Sequence, residues 1–289
     1  MTRILVTGRN GQVGAELVNA LTPHGEVTAL DRHALDLTNE SALRSTVRRL
    51  APQVIVNAAA YTAVDRAESE RELAFAVNAT APGILAEEAQ RCGAWLIHYS
   101  TDYVFDGSKA APHVEEDATG PLNVYGESKL AGERAVQTAA GKHVILRTSW
   151  VYGARGKNFF LTIRKLAQER DEMKIVDDQV GAPTWCRDIA NATAQVIGQL
   201  QKTDGPEKSG VYHLSAEGST SWYGFAAAIV AETCEARQPR LTPIPSAQYP
   251  TPAARPRNSV LSHEKLQRAF GVVLPDWRAS LTTCARSSA

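Results

Sequence analysis

Three glycines near the N-terminus constrain the fold of this chain more than any other feature. They lie in a segment that follows a β-rich apolar run at 3–7 and opens an amphipathic stretch, Thr7-Gly8-Arg9-Asn10-Gly11-Gln12-Val13-Gly14. In that position, Gly-x-x-Gly-x-x-Gly permits a tight turn, a close approach of backbone to a pyrophosphate, and close packing of helix on strand. The helix N-terminus offers unpaired N–H groups to the anion. A bare glycine triplet is often only a turn, but this position favours dinucleotide binding.

The first half of the chain alternates short apolar runs with amphipathic stretches of helical length. The spacing predicts strands at 3–7, 26–30, 53–57, 94–100 and 143–148. It predicts helices between them at Gln12–Leu21, Glu40–Leu50, Ala79–Arg91 and Val124–Ala139. Such alternation is typical of a parallel sheet covered by helices on both faces. We therefore expect an α/β fold with a Rossmann-type doubly wound parallel sheet built from right-handed crossovers.

The pattern becomes less regular after Trp150. Shorter elements are predicted there, a helix at Ile189–Leu200, a strand at Val211–Leu214 and a helix at Trp222–Glu232. Five prolines between Leu241 and Arg257 are too many for regular structure and predict a packed loop over a cleft. We expect residues 1–150 to form the dinucleotide-binding domain with the catalytic residues. Residues 151–289 would form a smaller α/β substrate-binding region, some segments of which return to the first domain.

Composition excludes several classes of protein. Of the 289 residues, 44% are hydrophobic and 21% are charged, which is ordinary for a folded globular chain. Lys plus Arg (31) equals Asp plus Glu (31), so there is no basic field to attract nucleic acid or an anionic membrane. The four cysteines are far apart, and the seven histidines lack metal-ligand spacing. With no signal-like or membrane-spanning stretch, we expect a cytoplasmic protein without a metal site.

Candidates for the remaining cofactor contacts follow the second and third strands. Asp31 ends the second strand, where a carboxylate accepts hydrogen bonds from the adenosine ribose and repels a 2′-phosphate, which favours NAD over NADP. The adjacent Arg32 would instead favour NADP by binding its 2′-phosphate. The alternative interpretation of Asp31 is that it is only an acid in a turn. Asp36 and Leu37 are candidates to line the adenine, although Asp36 would also serve as a cap. Small residues that leave room for the cofactor follow the third strand, Asn57-Ala58-Ala59-Ala60-Tyr61-Thr62.

A tyrosine and a lysine are the first candidates for catalysis. Tyr125 and Lys129 are four residues apart at the start of a helix, and therefore share one face. A phenol with a pKa of about 10 is a poor acid at neutral pH, but a neighbouring ammonium favours phenolate and allows proton exchange with a substrate oxygen. An isolated Tyr-x-x-x-Lys is commonly an exposed helix pair. The glycine loop and the next motif favour the catalytic interpretation here.

A threonine joins this pair at the end of the fourth strand. Thr101 leaves the strand at its carboxyl end, the side on which open α/β sheets bind ligands. Its hydroxyl would hydrogen bond the reacting carbonyl near Tyr125, or else only cap the following turn. Asp102 would either contact substrate or brace the loop.

These motifs, taken together with later ones, resemble a known family. The glycine loop, Thr101, Tyr125 and Lys129 resemble the extended short-chain dehydrogenase/reductase superfamily. Five blocks resemble the dTDP-4-dehydrorhamnose reductase family specifically, Ser100-Thr101-Asp102-Tyr103-Val104-Phe105, Pro121-Leu122-Asn123-Val124-Tyr125-Gly126, Arg147-Thr148-Ser149-Trp150-Val151-Tyr152, Asp178-Gln179-Val180-Gly181-Ala182-Pro183-Thr184 and Pro250-Thr251-Pro252-Ala253-Ala254-Arg255-Pro256-Arg257-Asn258-Ser259. The match runs from Ile4 to about Trp277. Generic epimerases share only the first motifs, so the later blocks carry the resemblance.

The resemblance implies the last step of dTDP-L-rhamnose synthesis, in which NADH or NADPH reduces the C4 keto group of dTDP-4-dehydro-L-rhamnose. Tyr125 would protonate the alkoxide, and Thr101 would orient the keto oxygen. Lys129 would bind the nicotinamide ribose and lower the pKa of Tyr125. Trp150 would pack on the sugar, although a tryptophan at a strand end is equally consistent with core. The implied cofactor contacts are Gly11, Gln12, Val13, Asp31, Asp36, Leu37, Ala60, Tyr61, Thr62 and Tyr99.

The resemblance also gives the proline-rich segment a role. Arg255, or else Arg257, would grip the dTDP diphosphate through a charge-assisted fork, and Asn258 would add a polar contact. On sequence alone, a solvated arginine is the simpler interpretation.

One position departs from the family pattern. Some members dimerise around Mg²⁺ held by acidic residues, one matching Glu16 and another at the position where this chain has Arg187. Asp188 is adjacent but points in another direction on a helix. We therefore expect neither the metal nor that dimer, and Glu16 suffices as a first-turn acid in a monomer or weak homodimer.

Two other functions fit parts of the sequence. One is a different nucleotide-sugar reductase or epimerase of the superfamily, which pocket residues would distinguish. The other is a non-catalytic NADP-binding regulatory subunit. The intact Thr101, Tyr125 and Lys129 argue against a pure binding module.

Overall fold

The chain folds around a twisted parallel sheet. The computed structural model describes residues 1–139, 141–203, 205–234 and 238–287. In chain order, the strands β1 to β12 are Arg3–Thr7, Glu26–Leu30, Val54–Asn57, Trp95–Thr101, His143–Thr148, Val151–Tyr152, Glu172–Val176, Val180–Gly181, Thr184–Trp185, Gly210–His213, Thr220–Ser221 and Arg240–Ile244. The helices α1 to α11 are Gln12–Leu21, Glu40–Leu50, Val64–Ala67, Arg71–Phe75, Ala81–Cys92, Val124–Ala139, Phe159–Glu169, Cys186–Leu200, Trp222–Thr233, Glu264–Phe270 and Trp277–Arg286.

Short helical turns complete these elements. A π-helical turn at Ala76–Thr80 joins α4 to α5, and 3₁₀ turns lie at Thr22–His24, Asp102–Val104 and Ser246–Gln248. Among the helices of the described ranges, none is long and apolar enough to cross a membrane.

The order of the strands places the ligand side of the sheet. In the described part of the chain, six parallel strands pair in the order β10-β5-β4-β3-β1-β2. The chain runs outward from β1 to β2 and then returns to the other side of β1, so the switch in strand order lies between β1 and β3. Ligands of open α/β sheets bind at such a switch, outside the carboxyl ends of the strands. The predicted doubly wound α/β fold is confirmed.

Local sequence signals account for most helix bounds. Helices α1, α2 and α6 have the predicted bounds, and the Asn39 side chain caps α2 by accepting a hydrogen bond from the Ala42 N–H at 2.9 Å. The helix predicted at Ala79–Arg91 begins later, at Ala81, because the preceding residues form the π-helical turn.

The proline-rich segment is more regular than predicted. Its first residues form β12, which pairs in parallel with β7 and places Pro243 opposite Ile175. The prediction that the segment lacks regular structure was therefore wrong for Leu241–Ile244. In the described structure, β12 pairs along one side only, and an edge strand tolerates a residue without an N–H.

Hydrophobic packing joins the two halves of the chain. One core cluster unites Val6 and Leu17 from the first half with Ile189, Val196 and Tyr212 from the second. A separate cluster in the second half of the chain contains Tyr152, Phe160, Phe225 and Trp277. The division at residue 150 remains a prediction, and β10 and α8 are the later segments that pack with the first half.

Candidate active site

The glycine loop forms a bare backbone cradle at the start of α1. Gly8 has a φ of +77°, and a Cβ there would lie 2.7 Å from the Ala59 nitrogen. A Cβ on Gly14 would collide with the carbonyl oxygen of Gly8. Gly11 is the N-cap of α1, and among the described residues no side chain caps it. The first-turn N–H groups are therefore available to an anion, and the cradle fits a dinucleotide diphosphate.

Asp31 lies beside this cradle as an acid in a turn. One carboxylate oxygen accepts from the N–H groups of His33 and Ala34, both at 3.0 Å, and the other accepts from the Asn10 side chain at 3.0 Å. The hydrogen bond from Ala34, together with those from Asn10 and His33, lowers the pKa of Asp31, so the carboxylate is charged. This position is compatible with both interpretations of Asp31, a ribose-binding carboxylate and a turn acid. The neighbouring Arg32 is exposed.

Asp36 also lies in a turn. Its carboxylate accepts from the backbone N–H and the hydroxyl of Thr38, both at 2.9 Å, which lowers its pKa. The cap of α2 is Asn39, so the capping role considered for Asp36 is wrong. Leu37 next to it is buried.

Asn78 holds the loop that contains Ala60, Tyr61 and Thr62. Its amide accepts from the Tyr61 N–H at 2.8 Å and donates to the Tyr61 carbonyl at 3.0 Å. The same amide donates to the Ser128 hydroxyl at 3.0 Å, which in turn donates to the Tyr125 carbonyl at 2.8 Å. Sequence analysis missed Asn78. Its signal is a polar residue in an otherwise alanine-rich helical segment.

Tyr125, on the first turn of α6, meets Thr101 at the end of β4. The Thr101 hydroxyl donates to the Asp102 carboxylate at 3.0 Å and accepts from the Tyr103 N–H at 3.2 Å. Burial raises the pKa of Tyr125 to about 12, against the opposing effect of a hydrogen bond with Thr101, while the Asp102 charge adds to the rise. Burial therefore dominates the net pKa of Tyr125 in the free protein, and the lowering effect implied for Lys129 stays a prediction. The phenol is a protonated donor at neutral pH.

Asp102 is a buried carboxylate that braces the turn after β4. It is 3% exposed, and burial raises its pKa to about 6, while the hydroxyls of Ser259, Thr101 and Ser149 act in the opposite direction. The carboxylate thus supports Thr101 from inside the protein. Of the two roles considered for Asp102, contact with substrate or bracing of the loop, this position matches the second.

Lys129 lies one helical turn after Tyr125 and is 2% exposed. Its Nζ donates to the Tyr99 carbonyl at 2.6 Å and lies 3.5 Å from Nε2 of His98. Burial lowers the pKa of Lys129 to about 8, against the attraction of Glu133. The ammonium is therefore easier to deprotonate than one in water.

Trp150 stands at the end of β5 in a strained conformation. Its φ of +46° is rare for a residue with a side chain. Its ring stacks on Trp222, with centroids 3.5 Å apart and planes inclined by 5°. A Cβ on Gly181 would lie 2.5 Å from the Trp150 ring, so this packing requires glycine there. Sequence analysis missed Trp222, whose partner is 72 positions earlier in the chain.

Arg255 is held by neighbours. Its guanidinium pairs with Asp65 at 2.9 Å and donates to the Ala253 carbonyl at 2.9 Å and to the Thr251 hydroxyl. These bonds fasten the proline-rich segment to α3. Arg255, the residue predicted to bind the diphosphate, is therefore ion-paired with Asp65 in the free protein.

Asn258 has a structural position as well. Its amide donates to the carbonyls of Lys109 at 2.7 Å and Ala111 at 3.1 Å, and its oxygen accepts from the Val260 N–H at 3.1 Å. The side chain therefore clamps the loop after β4. These contacts engage both amide hydrogens, which leaves the predicted substrate contact without a donor.

The match to known proteins covers the whole chain. The family model described as RmlD substrate binding domain matches residues 1–289. A dTDP-4-dehydrorhamnose reductase from Burkholderia thailandensis is 50% identical over 292 residues, covering 98% of this chain and 98% of the relative. The chain belongs to the dTDP-4-dehydrorhamnose reductase family. The resemblance predicted from the sequence is confirmed.

Solved structures from this family have the same fold. The dTDP-4-dehydrorhamnose reductase of Clostridium acetobutylicum has a TM-score of 0.93 at 38% identity, covering 99% of each chain. That of Bacillus anthracis, solved in complex with NADP, has a TM-score of 0.91 at 36% identity, covering 99% of this chain and 100% of that chain.

At the position where the resemblance implied an acidic Mg²⁺ ligand, this chain has an arginine that pairs with Glu16. Arg187 Nε donates to the Glu16 carboxylate at 3.0 Å, and its guanidinium lies 4.6 Å from the Trp185 ring centroid. Asp188 accepts from Ser280 instead. In the ranges that the structure describes, no group of three or more His, Cys, Asp or Glu could hold a metal ion. These residues do not fit a divalent cation.

Proposed function

We propose that this chain is an NAD(P)H-dependent oxidoreductase that reduces the C4 keto group of dTDP-4-dehydro-L-rhamnose to give dTDP-L-rhamnose. The observation that carries the proposal is the meeting of Thr101 and Tyr125 at the carboxyl end of β4, with Lys129 one turn farther along α6. The membership of the chain in a family of that activity supplies the substrate.

The chain provides a proton and a position for the reacting carbonyl. A reduced nicotinamide held there would supply the hydride for C4 and become oxidised in turn. In the free protein the single Thr101 hydroxyl hydrogen is donated to Asp102, so on substrate binding it would turn to the keto oxygen and orient that oxygen toward Tyr125. The Tyr125 phenol transfers its proton to that oxygen as the C=O bond becomes a C–O single bond, and solvent later returns a proton to the phenolate. Lys129 would hold the nicotinamide ribose, and its charge would stabilise the phenolate.

The cofactor is NADPH or NADH. Gly8, Gly11 and Gly14 would hold the diphosphate on backbone N–H groups, and Asp31 lies beside them near the expected ribose. A family member bound to NADP supports use of the phosphorylated cofactor, whereas the charged Asp31 favours NADH. Both cofactors therefore belong in the assay.

The remaining expectations concern location and assembly. Cys92 is an exposed free thiol, and Cys186 and Cys234 are buried free thiols, which supports a reducing compartment such as the cytoplasm. The Arg187 pair with Glu16 supports a monomer or weak homodimer that forms without Mg²⁺. The partner is the small-molecule dTDP-sugar, and the balanced charge gives no reason to expect nucleic acid or membrane binding.

The test is loss of NAD(P)H absorbance with dTDP-4-dehydro-L-rhamnose made in situ, comparing the wild type with Tyr125→Phe. General acid catalysis contributes about 10²–10⁴-fold, so the variant should lose turnover by that factor while binding the cofactor. Tyr103→Phe is the matched control, because its ring centroid lies 5.7 Å from that of Tyr125 and its phenol is not assigned to proton transfer. Full turnover by Tyr125→Phe would refute its role as the acid.

A wild-type protein that binds cofactor but gives no turnover would refute the substrate assignment. Other nucleotide-keto-sugars would then be tested. Turnover of one of them would identify the chain as a related reductase or epimerase. Failure with all of them would favour the regulatory-subunit alternative.

A further inference from the structure

A row of polar side chains crosses the middle of the sheet beneath Lys129. Thr7 on β1, Asn57 on β3 and His98 on β4 are direct register partners on neighbouring strands. They are 1%, 1% and 0% exposed, respectively. Strands covered on both faces are normally apolar, and a buried polar group is costly unless it is hydrogen bonded. The row therefore needs an explanation beyond the packing of the sheet.

In the structure the hydrogen bonds along the row all run in one direction. The Thr7 hydroxyl donates to Oδ1 of Asn57 at 2.6 Å, so the amide nitrogen of Asn57 faces Nδ1 of His98 at 3.1 Å and donates to it. Burial, with the Lys129 charge, holds the pKa of His98 well below its usual value, so the ring is neutral. A neutral imidazole that accepts at Nδ1 carries its proton on Nε2.

The Nε2 atom of His98 lies 3.5 Å from Nζ of Lys129. An Nε2–H group in that position suits a neutral amine, which has a lone pair, and opposes an ammonium, which has only donors. The other tautomer, with the proton on Nδ1, reverses the preference, because a bare Nε2 accepts from the ammonium. That tautomer would require the Asn57 amide to turn over and the Thr7 hydroxyl to reverse. The two arrangements differ by one proton, which Lys129 gains from solvent.

We propose that Asn57 and His98 are positioning residues that select the protonation state of Lys129 through the tautomer of the His98 imidazole. The inference rests on the proposed function only in assigning Lys129 to the reaction. The row itself is a property of the free protein and can be measured without substrate or cofactor.

Other charges near Lys129 do not supply the same control. Glu133, one turn along α6, forms a two-point pair with Arg147 of β5 at 2.9 and 2.7 Å, which balances its charge. Tyr125, one turn earlier, is a neutral phenol with a raised pKa. On β4, His98 can change from donor to acceptor without gaining net charge.

The experiment is a pH titration of the free protein by NMR, with ¹⁵N-labelled histidine and lysine. The ring nitrogens of His98 report the tautomer, and Nζ of Lys129 reports its charge. We expect the tautomer to shift from Nδ1–H to Nε2–H as pH rises, with the same midpoint as Lys129. A tautomer that stays constant while Lys129 titrates would overturn the proposal.

Asn57→Asp provides a second arm, because a carboxylate of the same shape accepts but does not donate. It should hold His98 as Nδ1–H at every pH and raise the Lys129 midpoint by at least one pH unit, a tenfold change in its proton affinity. The added charge alone could also raise that midpoint, so the control is Asn57→Asp in a His98→Leu background. A rise of equal size without the imidazole would refute control through the tautomer.

Reductase assays keep this test separate from the proposed function. Wild-type protein with coupled titrations but no turnover would retain the coupling and refute the proposed function. Turnover together with uncoupled titrations would refute the coupling and support the proposed function.

Discussion

Replacing Lys129 with methionine should stabilise the protein while removing its activity. The folded chain lowers the pKa of this lysine from 10.5 to about 8, chiefly through burial. A folded protein that disfavours the charged form has reduced stability wherever the lysine is ionised in both states. Methionine fills similar space and carries no charge to bury.

The size of the effect follows from the pKa shift. Each pKa unit corresponds to about 1.4 kcal/mol, so the buried ammonium costs about 3 kcal/mol near neutral pH. The variant also loses the Nζ hydrogen bond to the Tyr99 carbonyl, a loss of about 1 kcal/mol. We therefore expect a net gain of about 2 kcal/mol in the free energy of unfolding.

The stability gain of Lys129→Met should depend on pH. Below pH 8 the lysine is charged in both the folded and unfolded protein, so the penalty is complete. Between pH 8 and 10.5 the unfolded chain binds more protons than the folded one, and the stability of the wild type rises with pH relative to the variant. The advantage of methionine should therefore shrink over that interval.

The assay is denaturant unfolding of the cofactor-free proteins at several pH values. Lys165→Met is the matched control, because the Lys165 side chain is 73% exposed and pairs only loosely with Glu169 at 3.8 Å. It should show neither the gain nor the trend. A Lys129→Met protein that is less stable than wild type near neutral pH, or a stability gain that does not change with pH, would contradict this prediction.

Three further predictions concern the cofactor and the metal. Asp31→Ala should raise the preference for NADPH over NADH, measured as the ratio of kcat/KM values, and an unchanged ratio would mean that Asp31 does not face the ribose. Turnover should be indifferent to EDTA because Arg187 pairs with Glu16, and activity that EDTA abolishes and Mg²⁺ restores would contradict this. Asn78→Ala leaves buried partners unpaired and should cost about 2 kcal/mol in unfolding free energy and weaken cofactor binding. Unchanged values of both quantities would show that Asn78 does not hold the loop.

Local signals predicted the elements that depend on neighbouring residues. Helix α1 ends before Pro23 and α2 begins after Asn39, because a breaker and a cap act within one turn. The π-helical turn at Ala76–Thr80 carries no such signal, since it depends on the elements packed around it. Strand β12 was missed because its pairing with β7 outweighs the local effect of Pro243.

The glycine cradle and the shared face of Tyr125 and Lys129 could be predicted from the sequence alone, because glycine geometry and helical spacing are local properties. The contacts of these groups depend on how distant parts of the chain pack together. Arg255 meets Asp65 from 190 positions away, and His98 reaches Lys129 across 31. Burial, charge and hydrogen-bond direction depend on such distant neighbours, and these set the pKa values and the partners of the site.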